Sequence, residues 1–230
     1  MTTDRPIIYV AGCSPQVSYL SSAQRRHLDS AEYVFCVNRF PLHYRQAGFC
    51  PTHWAQMDCW GDSAVDSARQ VFHLLRTDAR LRRRMATRYV NCRDSDERIK
   101  RLLTDAGFPV TRFLRGYYAE RHRPISDSLD LPMLQAGSSL TGAANLAYTL
   151  CSRAEIRVFA CEYGPPGAVL HFYDPPDAAP TPWLGDEDFR RRMWEGFALL
   201  RAGGVNLVDS NLYHDDLPPY HLPRRDLLAG

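Results

Sequence analysis

Short apolar runs that stop abruptly at small or polar residues recur along this chain, and they constrain its fold more than any other feature. Ile7–Val10 reads IIYV and halts at Ala11-Gly12-Cys13-Ser14-Pro15. Tyr33–Val37 reads YVFCV and halts at Asn38-Arg39-Phe40-Pro41, and His53–Met57 reads HWAQM and halts at Asp58. The pattern returns in Tyr89–Cys92, in Ile156–Cys161 before Glu162-Tyr163-Gly164, and in Val205–Val208 before Asp209-Ser210-Asn211. Runs this short, rich in β-branched and aromatic residues, mark buried strands, and a Gly, Pro or Asn behind them marks a tight exit turn.

Between the runs lie stretches with helical character: Ser22–Ser30, Asp66–Met85, Asp94–Asp105, Ser139–Cys151 and Asp186–Ala202. Arg115–Gln135 lacks periodicity and contains Pro124 and Pro132, so it reads as a loop-rich excursion near the site. Pro165–Gly185 is rich in Pro, Gly and Asp and reads as a flexible loop, lying at about 164–185 over the site. Strands alternating with helices predict an α/β fold: a mainly parallel sheet with helices on both faces. At 230 residues, with 45% hydrophobic residues and no internal repeat or composition break, the expectation is one domain spanning 1–230.

Seven cysteines, odd in number and unclustered, suit reduced and mostly buried thiols better than a disulfide framework. The N-terminus is too short in apolar length for a secretory signal, and no run approaches the roughly 18 apolar residues of a membrane span. The expectation is a cytoplasmic protein. The net charge of +2 argues neither for nor against nucleic acid, and no motif calls for a nucleic-acid partner. A homo-oligomer is left open.

In an open parallel sheet, ligands bind outside the carboxyl ends of the strands, and helix N-termini there offer an anion site. The polar strand ends therefore make a candidate pocket: Gly12-Cys13-Ser14, Asn38-Arg39, Asp58, Glu162-Tyr163 and Asp209-Ser210-Asn211. The first turn lacks the G-x-G-x-x-G dinucleotide fingerprint and the chain lacks a Walker A sequence, which argues against hydride transfer and P-loop kinase chemistry. Asp94-Ser95-Asp96 has the D-x-D form of a metal-binding motif but reads better as a helix cap. Cys50, His53 and Cys59 lack paired zinc-ligand spacing. The arginines from Arg80 to Arg88 suit a helix C-terminus better than a phosphate patch. Cys13 on its glycine turn is a weak nucleophile candidate.

AGCSP near the N-terminus, YVFCVNRF, the strand ending at Asp58, and SLTGAANLAYTLC followed by AEIRVFACEY together resemble bacterial sialyltransferases with a single-domain, Rossmann-like fold. The wider set around them includes motility accessory factor glycosyltransferases and an archaeal 6-hydroxymethylpterin diphosphokinase. The resemblance covers roughly residues 6–60 and 138–212. It implies a metal-independent, inverting glycosyltransferase that moves a sugar from a CMP-linked donor to an acceptor hydroxyl, with no cofactor and no metal site. It places Gly12, Cys13 and Ser14 along the donor phosphate, and Asn38, Asp58 and Glu162 at the nucleotide. Thr141 and Gly142 would approach phosphate and sugar. His171 is the implied base, with Tyr163 and Tyr173 supporting the departing phosphate. The chain departs from the pattern in Cys13, which stands for an asparagine, in a shorter loop from Gly164 to Gly185, and in lacking an arginine close before Thr141. Glycosyl transfer asks for these types in any case: a base for the acceptor hydroxyl and hydrogen-bond donors for the leaving phosphate. The competing expectations are a Mg²⁺-dependent phosphoryl or pyrophosphoryl transferase using Asp58 and Glu162, and a non-catalytic nucleotide-binding module.

Overall fold

The apolar runs form the strands of one sheet. A computed structural model describes residues 5–58, 61–91, 97–114, 117–118, 125–136, 138–161, 171–175 and 187–209. Strands β1 (Ile7–Ala11), β2 (Val34–Val37), β3 (His53–Gln56), β4 (Thr87–Asn91) and β5 (Arg112–Leu114) are followed by a two-strand pair, β6 (Tyr117–Tyr118) with β7 (Met133–Leu134). Strands β8 (Glu155–Phe159) and β9 (Leu207–Asp209) complete the main sheet. Its seven strands run in the order β5-β4-β3-β2-β1-β8-β9, and every pairing is parallel.

Strands buried on both faces need no alternation, and β2 shows it, with all of Val34, Phe35, Cys36 and Val37 buried. Around the sheet lie α1 (Ser22–Ser30), α2 (Tyr44–Ala47), α3 (Gly61–Thr77), α4 (Ala79–Arg84), α5 (Arg98–Asp105), α6 (Ser139–Leu150) and α7 (Glu187–Ala202). Helix α6 packs on β1, β2 and β8 beneath α7. The chain steps outward from β1 to β5 and then returns to the other side of β1 for β8, so the strand order reverses between β1 and β8. Right-handed crossovers then place helices on both faces. The α/β, Rossmann-like architecture expected from the sequence is the one found.

Helix α1 begins and ends where its sequence predicts, because Ser21 and Gln24 form a reciprocal capping box. The stretch Asp66–Met85, expected as one helix, is two. Asp78 breaks it by turning its carboxylate onto the backbone N–H of Leu81 at 3.0 Å and capping α4. The other oxygen of Asp78 accepts hydrogen bonds from the Tyr44 hydroxyl at 2.6 Å and from Arg45 at 2.9 Å. Helix α5 starts at Arg98 with no side-chain cap from Glu97, so the capped start expected at Asp94 falls outside the described residues. The β6–β7 pair lies inside Arg115–Gln135, where only loop was expected, and β5 lies just before it, where no element was expected. Among the arginines, Arg80 pairs with Asp29, Arg84 donates to the carbonyls of Ala31 and Cys50, Arg82 to that of Arg76, and Arg88 to that of Pro109. Arg80 thus joins α4 to α1 and Arg82 joins α4 to α3, while Arg84 and Arg88 bond carbonyls outside the helices.

Burial opposes ionisation of Asp78, but the hydrogen bonds from Leu81, Tyr44 and Arg45 outweigh it and lower its carboxyl from 3.8 to about 2. The folded value lies below the unfolded one, so the stabilisation is fully present above about pH 5 and lost as pH falls toward 2. Asp78→Ala removes a cap and strands the buried Tyr44 hydroxyl. It is expected to destabilise the protein by about 3 kcal/mol at pH 7, with the gap to wild type closing in urea titrations below pH 4.

Candidate functional site

The carboxyl ends of β1, β2 and β3, the first turn of α6 and the short segment 171–175 come together at the carboxyl end of the sheet. Asn38 leaves β2 with a φ of 48°, a left-handed conformation that asparagine tolerates. Its side-chain oxygen accepts from the backbone N–H of Met57 (2.9 Å) and of Asp58 (3.2 Å). Its amide nitrogen donates to Asp58 Oδ2 (2.7 Å) and to Ser139 Oγ (3.0 Å). Ser139 in turn donates to Asp58 Oδ1 at 3.1 Å. This knot fixes the ends of β2 and β3 against α6. Burial raises the pKa of Asp58, and the hydrogen bonds from Ser139 and Asn38 oppose the rise.

Asn38 and Asp58 thus meet, as expected of pocket residues, but they meet each other. An amide with four hydrogen bonds has no capacity left, so Asn38 holds the strand ends together rather than offering a hydrogen bond to a ligand. Gly12 also has a structural reason. A Cβ there would lie 2.0 Å from the carbonyl oxygen of Ala160, which is itself left-handed at φ 54°. The backbone N–H groups of Gly12 and Ser14 donate to Phe159 (2.9 Å) and Ala160 (3.1 Å), joining the turn to the end of β8. Ser14 is buried, its hydroxyl donating to Gln16 at 3.2 Å. Burial, with the nearby Asp58 carboxylate, pushes the Cys13 thiol up to about 12 against an opposing hydrogen bond with Tyr173. A thiol held so far from ionisation is no nucleophile at neutral pH.

Thr141 and Gly142 are buried in the first turns of α6. Thr141 faces Gly196 of α7, and a Cβ on Gly142 would lie 2.4 Å from the tip of Met57. Both positions serve close helix packing, which is what the expected approach to phosphate and sugar now has to contend with. Glu162 and Tyr163 lie outside the described residues, as do 164–170 and 176–185 of the loop.

The described centre of that loop sets a histidine beside a carboxylate. Residues 171–175 cross the end of β1, where the Phe172 N–H donates to the Cys13 carbonyl (3.0 Å) and the Phe172 carbonyl accepts from Gln46 (2.7 Å). Phe172 is buried against Phe40, with ring centroids 5.3 Å apart. Asp174 Oδ2 accepts from the backbone N–H of His171 at 2.7 Å and from its Nδ1 at 2.9 Å. The Tyr173 ring lies within 4° of the His171 ring at 4.9 Å, and within 12° of the His43 ring at 4.0 Å. His43, Gln46 and Ser139 give no sequence signal of their own. They reach the site because the turn after β2 and the start of α6 deliver them there.

A carboxylate can only accept, so Nδ1 of His171 carries the proton and Nε2 is the basic nitrogen. That is the arrangement of an oriented general base. Among the described residues no group of three His, Cys, Asp or Glu side chains is placed to hold a metal ion. His53 is partly buried, stacked on Phe35 at 4.3 Å and lowered by burial to a pKa of about 4. No helix of the described residues is long and apolar enough to cross a membrane.

No family model and no curated protein matches the chain. Among solved structures it is similar to the MAf glycosyltransferase from Magnetospirillum magneticum AMB-1, with a TM-score of 0.55 and 11% sequence identity. The match covers 98% of this chain and 34% of the other, so the chain spans about a third of that protein's length. At this identity the likeness is one of fold alone, a Rossmann-like α/β architecture.

Proposed function

We propose that the chain is a metal-independent glycosyltransferase that moves a sugar, with inversion, from a CMP-linked donor to an acceptor hydroxyl. The observation that carries this reading is the His171–Asp174 pair, held at 2.9 Å over the carboxyl end of β1. In the proposed step the acceptor hydroxyl passes its proton to Nε2 of His171 as its oxygen attacks the anomeric carbon. The bond from that carbon to the phosphate oxygen breaks, and the nucleotide leaves with the electron pair. Asp174 stabilises the imidazolium so formed. Tyr173 keeps a supporting place through its contact with His171, while Glu162 would hold the nucleotide and Tyr163 the departing phosphate. The glycosyltransferase-like fold supports the same reading.

Thermal unfolding with CMP, CDP, UDP, GDP and ATP tests it, each with Mg²⁺ and with EDTA. A ligand at a hundred times its dissociation constant adds about 2.7 kcal/mol, or roughly 5–10 °C for a chain of this size. CMP is expected to raise the melting point equally in both conditions. A shift only with ATP and Mg²⁺ would favour phosphoryl transfer, and no shift with any nucleotide would sink the reading.

A further inference from the structure

A nucleotide that leaves an anomeric carbon gains a negative charge on its phosphate, and a metal-independent site has to meet that charge with donors and cations of its own. Several of the strand-end groups expected to do so are already bound within the protein. Gly12 and Ser14 spend their backbone N–H groups on the end of β8, Ser14 its hydroxyl on Gln16, and Asn38 its amide on Asp58 and Ser139.

Arg39 is differently placed. The left-handed turn at Asn38, whose carbonyl accepts from Trp54 Nε1 at 2.8 Å, fixes where the chain leaves β2. β2 pairs with β1, Ala11 opposite Cys36, so Arg39 emerges beside the Gly12–Ser14 turn at the roughly 5 Å spacing of paired strands. Its side chain is exposed and makes no hydrogen bond or ion pair with the described residues. Nearby carboxylates are engaged elsewhere, Asp58 by Asn38 and Ser139, and Asp174 by His171. By contrast Arg25, Arg45 and Arg80 are each tied to a carbonyl or a carboxylate. Arg39 faces His43, whose ring lies on Tyr173 and through it beside His171. A guanidinium without a counterion therefore stands between the first turn of the sheet and the proposed base.

We propose that Arg39 is a catalytic residue that holds the phosphate of the nucleotide, binding it in the donor and neutralising the charge it gains as it leaves. The proposal rests on the transferase reading. A guanidinium suits the task, because its planar fork of N–H donors matches two phosphate oxygens at once and stays charged at any working pH. As the anomeric C–O bond breaks, its electron pair passes to the phosphate oxygen, and Arg39 donates hydrogen bonds to that phosphate without giving up a proton.

Titration calorimetry in EDTA tests this by comparing wild type, Arg39→Gln and Arg39→Lys with CMP and with cytidine, which lacks the phosphate. Arg39→Gln is expected to bind CMP about tenfold more weakly, the usual worth of a charge-assisted hydrogen bond, and to bind cytidine as wild type does. Arg39→Lys keeps the charge without the fork and is expected to lie between the two. With a CMP-linked sugar, kcat is expected to fall further than affinity, because the charge is greatest as the nucleotide departs. Unchanged CMP affinity in Arg39→Gln would overturn the proposal, and so would an equal loss for cytidine. A loss confined to a CMP-linked acidic sugar would put the sugar's carboxylate on Arg39 and overturn it too. Wild-type protein that binds no CMP marks the failure of the transferase reading itself, seen before any substitution is made.

Discussion

His171→Ala is expected to lower turnover by about 10²–10⁴-fold, the usual contribution of a general base, with little change in nucleotide affinity. His171 stands outside the hydrophobic core, its ring stacked on Tyr173 and bonded to Asp174. Asp174→Asn separates the charge of the partner from its placement. One oxygen of Asp174 accepts from both the His171 N–H and Nδ1, so an asparagine turns its carbonyl there, keeps Nδ1 protonated and loses only the negative charge that stabilises the imidazolium. The loss is therefore expected to be smaller than that of His171→Ala. Single-turnover transfer from a CMP-linked sugar measures both. Wild-type turnover in His171→Ala would take His171 out of the mechanism.

Gly12→Ala is expected to be the most destabilising glycine-to-alanine change among the described residues. The added Cβ would stand 2.0 Å from the carbonyl oxygen of Ala160 and 2.8 Å from its carbonyl carbon. Backbone cannot swing aside as a side-chain tip does. Relief requires parting the ends of β1 and β8, and with them the hydrogen bonds from Gly12 to Phe159 and from Ser14 to Ala160. A cost above about 3 kcal/mol follows, toward the large end for single substitutions, which lowers the melting point by roughly 6–12 °C. Guanidinium unfolding checks the figure. A change below about 1 kcal/mol would show that the crossing is looser than the structure has it.

The sheet was readable because its strands announce themselves twice, by apolar run and by terminator. Ile7–Val10 before Gly12, and the run that ends at Asn38, are examples. β5 carries neither mark: its three residues at the sheet edge, Arg112–Leu114, are too few to show a pattern. The break at Asp78 was hidden because the same aspartate is compatible with a solvated helix surface until Tyr44 and Arg45 are brought to it. At the candidate site, the sequence shows which polar residues end the strands but not what each of them bonds to. A polar residue after a strand satisfies itself equally well on a ligand or on a neighbour. Asn38 and Asp58, 20 positions apart, choose each other. His43 becomes visible only when a turn after β2 meets a segment 130 residues further on.

The reversal of strand order beside β1 also governs how the chain must be born. Made from its N-terminus, the protein can pair β1 with β2 early, but the other side of β1 has no partner until Glu155–Phe159 is synthesised. At about 5–20 residues per second, that wait of roughly 140 residues lasts on the order of ten to thirty seconds. Throughout it, an open strand edge of Ile8, Tyr9 and Val10, all buried in the finished protein, stays unpaired. The residues that end up deepest are the ones longest at risk of joining another nascent chain.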